Sequence, residues 1–165
     1  MSEYLIRPDQ SAELFDLPAF DALALLPHLP LPFGPGLALD ARDLVVMGVL
    51  TADEAERYAA GRLHGRVVMP LRWVRHALGA GRSVQRVLAL AGLRPVLPAL
   101  VPELADDVEL YRADDVAALA SEIDAAGGLS AWRAQREPPA VARRREYKRQ
   151  WTARRRAAPT DHADP

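Results

Sequence analysis

Proline and glycine divide this chain of 165 residues into short segments, because they occupy 14 and 10 positions respectively. Proline lacks a backbone N–H and clashes with the preceding helical turn, so it breaks or kinks the interior of a helix. Clusters of proline therefore exclude a helix across residues 27–36 and mark an irregular connection at residues 95–102. Glycines follow several stretches of periodic apolar residues, where they are typical of helix ends. The pattern predicts a mainly α fold of short helices, with short β-strands.

Apolar spacing and capping residues locate the predicted elements. Thr51 and Glu54 match a capping box, in which each side chain accepts a hydrogen bond from the other residue's backbone N–H. Pro70 suits the first turn of a helix, Ser83 is placed to cap the next helix, and Gly92 is placed to end it. Helices are predicted at residues 16–26, 52–60, 71–78, 84–91, 113–126, 129–136 and 141–156, and short strands at residues 67–69 and 108–111.

The charges are sorted along the chain, although they sum to only −1. Residues 1–60 carry −7, residues 61–100 carry +7 with no acidic residue, residues 101–130 carry −7, and residues 131–165 carry +6. Two interpretations follow: the basic segments face a polyanion, or each faces an acidic segment of the same chain. The function of the protein depends on which interpretation is correct.

Residues 73–92 have the spacing of a helix-turn-helix. Such a unit has a small residue in its first helix, a glycine of positive φ four positions later, and an apolar residue six positions beyond that glycine. Ala77, Gly81 and Val87 occupy these positions. Arg82 departs from the pattern, because its position usually faces the core. An ordinary helical hairpin is the alternative.

Two short motifs follow the turn. Gly-Leu-x-Pro is formed by Gly92, Leu93 and Pro95, and Y-x-x-x-D-V-x-x-L by Tyr111, Asp115, Val116 and Leu119. With these motifs, the chain resembles the MerR-type winged-helix regulators over roughly residues 68–126, since those proteins end the recognition helix with the first motif and start a later helix with the second. The resemblance implies a winged-helix core that binds DNA by placing the helix at residues 84–91 in the major groove.

The resemblance also implies particular DNA contacts. The residues that would face DNA from the recognition helix are Ser83, Gln85 and Arg86, and those that would meet phosphates are Arg72, Arg75, Arg82 and Arg94. The expected wing at residues 96–110 carries Glu103, Asp106, Asp107 and Glu109, which would repel a phosphate backbone. The wing therefore either points away from DNA or pairs internally with the arginines assigned to phosphates.

A second resemblance is to the xeroderma pigmentosum group A repair factor, in the C-terminal half of its DNA-binding domain. That family has an L-Y…V helix, a glycine, a short Leu/Ala turn and a long basic helix. The matching residues are Leu110, Tyr111, Val116, Gly128, Leu129 and Ala131, followed by the basic helix after Pro139. Because the chain has no cysteine, the family's zinc module is excluded, and the resemblance supports the fold class and not a repair function.

The C-terminal helix combines basic and aromatic residues. Its basic residues surround the helix, whereas Tyr147 and Trp151 share one side because they are four positions apart. Guanidinium groups pair with phosphates and aromatic rings stack on unpaired bases, so the combination favours nucleic acid. One alternative is that both rings anchor the helix to the core while its arginines pair with the acidic segments. The other is binding to an acidic protein or a membrane surface. The candidate nucleic-acid-binding residues are Arg143, Arg144, Arg145, Lys148, Arg149 and Trp151.

Sequence patterns for catalysis and metal binding are missing. The histidines lack metal-ligand spacing, and neither a glycine-rich phosphate loop nor a G-x-S-x-G motif occurs. We therefore expect no enzymatic activity, no cofactor and no metal. No run of about 18 apolar residues occurs, so no membrane span is expected.

Together these features predict a DNA-binding protein. Its expected parts are an acidic, proline-rich segment at residues 1–45, a winged-helix-like domain at 46–127, a basic helical arm at 128–157 and a disordered tail at 158–165. Duplex DNA ranks ahead of single-stranded DNA, a protein partner or a second copy of the chain is left open, and no membrane partner is expected. The expected location is the cytoplasm, at the nucleoid if the source is bacterial. The alternative function is a protein-interaction adaptor whose basic segments pair with acidic partners or with its own acidic segments.

Overall fold

The computed structural model describes residues 3–17 and 19–157, and it is mainly helical with two small antiparallel sheets. The predicted fold class is confirmed at that level, while the tail predicted at residues 158–165 lies outside the described part of the chain. The strands are β1 (Leu5–Ile6), β2 (Leu39–Asp40), β3 (Val68–Pro70) and β4 (Leu110–Arg112). The helices are α1 (Pro8–Leu14), α2 (Ala19–Leu25), α3 (Ala41–Val46), α4 (Ala52–Ala59), α5 (Leu71–Ala77), α6 (Val84–Ala91), α7 (Ala105–Val108), α8 (Ala113–Ala125), α9 (Leu129–Arg136) and α10 (Pro139–Ala157).

Local sequence signals set several helix ends as predicted. The capping box of α4 is confirmed, since the Thr51 backbone N–H donates to Glu54 Oε2 at 2.7 Å and the Glu54 N–H donates to Thr51 Oγ1 at 3.2 Å. Helix α6 ends at Gly92, whose φ of 70° lies in the left-handed region that glycine adopts without strain. Ser83 occupies the N-cap position of α6 as predicted, but its side chain forms no capping hydrogen bond, because its hydroxyl donates to the Ala80 carbonyl at 2.7 Å.

Helices α1 and α3 were not predicted, although each start has a local signal. Pro8 occupies the first position of α1, and the Arg7 backbone N–H donates to the Gln10 side chain at 2.9 Å. Asp40 caps α3 by accepting a hydrogen bond from the Arg42 backbone N–H at 2.9 Å. Both starts follow ordinary N-terminal helix chemistry, but each helix is too short for its apolar period to stand out.

The hairpin between α5 and α6 follows the predicted spacing only in part. Gly81 has a φ of 49° and Val87 is fully buried, as a helix-turn-helix requires. Ala77 is exposed, however, and the small residue that packs in the core is Ala80. Arg82 is exposed and does not face the core.

Strand β4 is the centre of the second sheet. It pairs antiparallel with β3, and Leu110 also forms a bridge with Leu97 on its other side. The segment expected to form a wing, residues 96–110, contains a 3₁₀ turn at Pro102–Leu104 and the helix α7.

The β3–β4 pair lies between two hydrophobic cores. Val68 and Leu110 belong to a first core built mainly from α1, α2, α3 and the loops between them. Met69 and Tyr111 belong to a second core with α5, α6, α8 and the buried Trp132 of α9. Successive strand residues point to opposite faces, so a ribbon of only three residue pairs contributes to both cores.

Arg112 and Glu54 connect the two parts of the fold. The guanidinium of Arg112 donates to Glu54 Oε1 at 2.7 Å and Oε2 at 2.8 Å, and to the Val49 carbonyl at 2.8 Å. Burial alone would raise the pKa of Glu54, but hydrogen bonds from Arg112 and from the Thr51 backbone outweigh burial and hold that pKa below its usual range. The side chains of Glu54 and Arg112 are only 7% and 16% exposed, so the pair is largely shielded from water.

Candidate nucleic-acid interface

Helix α7 neutralises the two arginines of α5 that were expected to meet phosphates. Arg72 Nη1 donates to Asp107 Oδ1 at 2.7 Å. Arg75 forms a two-pronged pair with Asp106, with both N–O distances at 2.8 Å. Of the two alternatives left by the sequence, the structure shows internal pairing of the acidic segment. Helix α7 packs directly against α5, so a phosphate would have to compete with Asp106 and Asp107 for these partly exposed side chains.

Carboxylates also contact the exposed side of α6, the expected recognition helix. Gln85 Nε2 donates to Glu109 Oε2 at 3.3 Å, and Arg86 Nη2 lies 3.2 Å from Glu137 Oε1. Ser83 is held in the turn by its hydrogen bond to Ala80. Burial, together with nearby Glu109, raises the pKa of the Tyr111 hydroxyl beneath this site, which therefore stays protonated at neutral pH.

Arg82 and Arg94, at the two ends of α6, are exposed. Among the described residues, neither side chain has a carboxylate within 4.0 Å. They are the predicted contacts of the hairpin that remain accessible to an anion.

Glu137 joins three arginines from three places in the fold. Its carboxylate lies 3.2 Å from Arg86 of α6, 3.3 Å from Arg133 of α9 and 2.8 Å from Arg145 of α10. The Glu137 side chain is only 3% exposed. Sequence reasoning missed this residue. A signal was present, since Glu137 is the only acidic residue between positions 125 and 145. We call Glu137 and its three arginines the Glu137 cluster, and it places the start of α10 beside α6.

Helix α10 carries the largest set of exposed cations on the described chain. Arg145 is tied to Glu137, and Arg143 Nε reaches the Pro139 carbonyl at 3.4 Å. The described part of the chain offers no carboxylate within 4.0 Å to the other basic side chains of α10. They are exposed, and they are Arg144, Lys148, Arg149, Arg154, Arg155 and Arg156. No α10 side chain among the described residues belongs to either hydrophobic core.

Tyr147 and Trp151 are exposed on α10, with 71% and 50% of their surface accessible. The alternative in which both rings anchor the helix to the core is therefore wrong. The Arg155 guanidinium lies 4.8 Å from the centre of the Trp151 ring, in a cation–π contact. Arg155 covers only one of the two faces of this ring. The same alternative paired the arginines of this helix with the acidic segments, and it is wrong there too, because the one ion pair of α10 among the described residues is Arg145 with Glu137.

Within residues 3–17 and 19–157, no three His, Asp or Glu side chains gather closely enough to hold a metal ion. None of the described helices combines the length and apolar character needed to cross a bilayer.

No protein-family model, curated protein or solved structure matches this chain. The resemblances to the MerR-type regulators and to the xeroderma pigmentosum group A factor therefore remain predictions, and the candidate interface rests on its own geometry.

Proposed function

We propose that this protein binds nucleic acid, with α10 as the principal contact element and its cations placed against phosphates. The observation that carries the proposal is the set of seven exposed α10 cations with no carboxylate partner among the described residues, of which only Arg143 reaches another acceptor, the Pro139 carbonyl. A helix that is polar on all sides and buries no apolar side requires another source of stability. A polyanion supplies one, because it neutralises charges that repel each other.

The spacing of the cations supports a phosphate-binding role. Arg144 and Lys148, and likewise Arg145 and Arg149, are four positions apart, and like charges at this spacing destabilise a helix by roughly 0.2–0.5 kcal/mol a pair. At 1.5 Å per residue, the helix is about 28 Å long. About six phosphate contacts along it would give a slope of log K against log salt near −5 for duplex DNA and near −4 for a single strand.

The arrangement around α6 supports a nucleic-acid-binding fold but a secondary role for that helix. The order β3, α5, α6, Leu97 and β4, with β4 between β3 and Leu97, supports the winged-helix-like core that the resemblance implied. Arg82 and Arg94 would add phosphate contacts beside α10. The carboxylates beside Gln85 and Arg86 argue against deep insertion of α6 into a major groove, which the resemblance to the MerR-type regulators implied.

Fluorescence anisotropy with labelled 20-nucleotide probes tests the proposal. The full chain is titrated against duplex DNA, single-stranded DNA and single-stranded RNA at 50 mM salt, and the salt series is then extended to 300 mM. We expect binding that weakens steeply with salt, with the slopes given above. Failure to bind any of the three probes at 50 mM salt would contradict the proposal.

Polyglutamate of matched charge separates this function from the rival protein-interaction adaptor. Nucleic acid offers bases as well as charge, so we expect polyglutamate to compete only weakly for the labelled probe. An acidic polypeptide that binds tightly while all three nucleic acids fail to bind would favour the adaptor instead. The proposed binding involves no cofactor, metal or catalytic residue.

A further inference from the structure

The two exposed aromatic rings of α10 lie on one side of the helix, and this side differs in composition from the opposite side. Tyr147 and Trp151 are one turn apart, about 6 Å along the axis, and so lie on the same side. Both are largely accessible, at 71% and 50% of their surface. Large rings of this kind normally supply buried contact area. Two of them exposed on a highly charged helix indicate a partner that uses flat apolar faces as well as charge.

Cations surround these two rings. Helical spacing places Arg144 one turn before Tyr147, and Arg154 and Arg155 one turn after Trp151. Arg155 already lies against the Trp151 ring at 4.8 Å. We call Tyr147 and Trp151 with these three arginines the aromatic side of α10. It presents ring faces for stacking and guanidinium groups for phosphates within the same few turns.

We propose, resting on the function above, that the aromatic side selects unpaired strands, DNA or RNA, over duplex. Each ring stacks on an exposed base while the neighbouring arginines pair with the adjoining phosphates. A duplex keeps its bases stacked inside, so it offers phosphates to this surface but no free base faces. An acidic peptide offers charge without the flat aromatic groups that the two rings would stack on.

The opposite side of α10 supplies a matched control. It contains Arg145, Arg149 and Arg156 with Thr152 and Ala153, and no aromatic residue. Cations there act on phosphates whether or not the bases are paired. Removing them should weaken both kinds of nucleic acid together, whereas removing the rings should weaken mainly the binding of unpaired strands.

The experiment compares two double variants of the full chain by anisotropy, using 20-nucleotide dT and U strands and a 20-base-pair duplex. Tyr147→Leu/Trp151→Leu keeps every charge and a strong helix former at both positions. Since stacking on one ring contributes about 1–3 kcal/mol per base, we expect single-strand affinity to fall at least about tenfold and duplex affinity less than threefold. Arg149→Gln/Arg156→Gln should lower single-strand affinity and duplex affinity alike. The two factors of reduction should agree within about threefold.

Two further measurements test whether the rings act by stacking on bases. Trp151→Phe retains a ring, so it should keep most of the single-strand affinity that the Leu variant loses. Strand binding should quench tryptophan emission, and Trp151→Phe should remove that quenching although Trp73 and Trp132 remain. Circular dichroism of each variant checks that helix content is preserved, which the exposure of the altered residues leads us to expect.

The outcomes separate this inference from the proposed function. If the chain binds duplex as tightly as single strands, and the Leu variant lowers both equally or neither, selection of unpaired strands is wrong while nucleic-acid binding stands. If no nucleic acid binds, both proposals fail. If polyglutamate displaces the single strand as well as unlabelled dT does, charge alone governs binding and the inference is again overturned.

Discussion

Residues 61–100 and helix α10 are both strongly basic, yet their charges are used differently. Four of the seven arginines in residues 61–100 have carboxylate partners in the described chain, namely Arg66, Arg72, Arg75 and Arg86. In α10, one of eight cations is paired in this way. A run of basic residues therefore does not by itself identify a polyanion-binding surface. Whether such a run can bind a polyanion depends on the residues with which it pairs in the folded chain.

The difference follows from packing. Helices α5 and α6 bury one side against the second core, through Val74, Val84 and Val87 among others. This packing places their arginines next to α7 and Glu137, which are held by the same core. Helix α10 starts beyond the core and is tied to it through Glu137, so most of its charges meet no acidic surface of the described chain.

Removing the free charge of α10 should have the largest effect. The variant Arg144→Gln/Lys148→Gln/Arg149→Gln/Arg154→Gln keeps good helix formers at all four sites. Losing four phosphate contacts should reduce affinity about a thousandfold at 0.1 M salt, by the counterion-release relation, and flatten the salt slope by about 3. Anisotropy titrations at several salt concentrations measure both quantities. An unchanged affinity would show that the interface does not lie on α10. The charges of α10 would then not differ in use from those of residues 61–100.

The Arg112–Glu54 pair provides the opposite case to the exposed cations of α10, because it is, with Arg133–Glu137, one of the two most shielded ion pairs among the described residues. Glu54→Gln should lower the free energy of unfolding by about 3 kcal/mol at pH 7, since removing one partner leaves the other charge buried. Urea unfolding of both proteins measures this difference.

The pH dependence of that difference has a definite sign. The pKa of Glu54 is lower in the folded than in the unfolded chain. Its contribution is therefore complete above the ordinary glutamate pKa of about 4.3 and is lost as the pH falls through the folded-state pKa. The gap between wild type and Glu54→Gln should shrink in acid. A gap independent of pH from 7 to 3 would show that the carboxylate charge does not cause it.

The Glu137 cluster tests whether the two basic regions depend on each other. Glu137→Gln should lower the free energy of unfolding by about 2 kcal/mol, because a largely buried carboxylate loses its charge-assisted hydrogen bonds. Nucleic-acid affinity should be maintained or rise a few-fold, since Arg86 and Arg145 lose their counter-charge. Glu122→Gln is the control, because it breaks the exposed pair with Arg136 and should change stability little. A large loss of affinity would show that nucleic-acid binding requires α10 to be held beside α6.

Neutralising the paired arginines of α5 should have the smallest effect. Arg72→Gln/Arg75→Gln should lower the free energy of unfolding by about 1 kcal/mol, as expected for two partly exposed ion pairs. Nucleic-acid affinity should stay within about twofold of wild type in the same anisotropy assay. A tenfold loss would contradict the difference between residues 61–100 and α10, because it would mean that Asp106 and Asp107 release these arginines to phosphates.

Local signals account for the parts of the fold that the sequence predicted well. Helix α6 and helix α9 have the predicted bounds, and the Thr51–Glu54 capping box forms. Each depends on residues within a few positions of one another. The missed features join distant parts of the chain: Arg72 contacts Asp107 across 35 positions, and Glu54 contacts Arg112 across 58.

The candidate site divides in the same way. The sequence placed aromatic and basic residues on one helix, because helical spacing alone brings Tyr147 and Trp151 to one side. It could not show that both rings are exposed, or that Glu137 draws in Arg86 and Arg145. Those facts depend on which surfaces of the fold lie next to each other.

By itself, the sequence determined the helical class, the ends of several helices and the sorting of charge into four segments, because these depend on neighbours along the chain. The tertiary structure decided which charges are cancelled. Packing of α7 and Glu137 brings carboxylates within 2.7–3.2 Å of Arg72, Arg75 and Arg86. Ion pairing acts over such short distances that only the folded arrangement separates a structural arginine from one free to meet a phosphate.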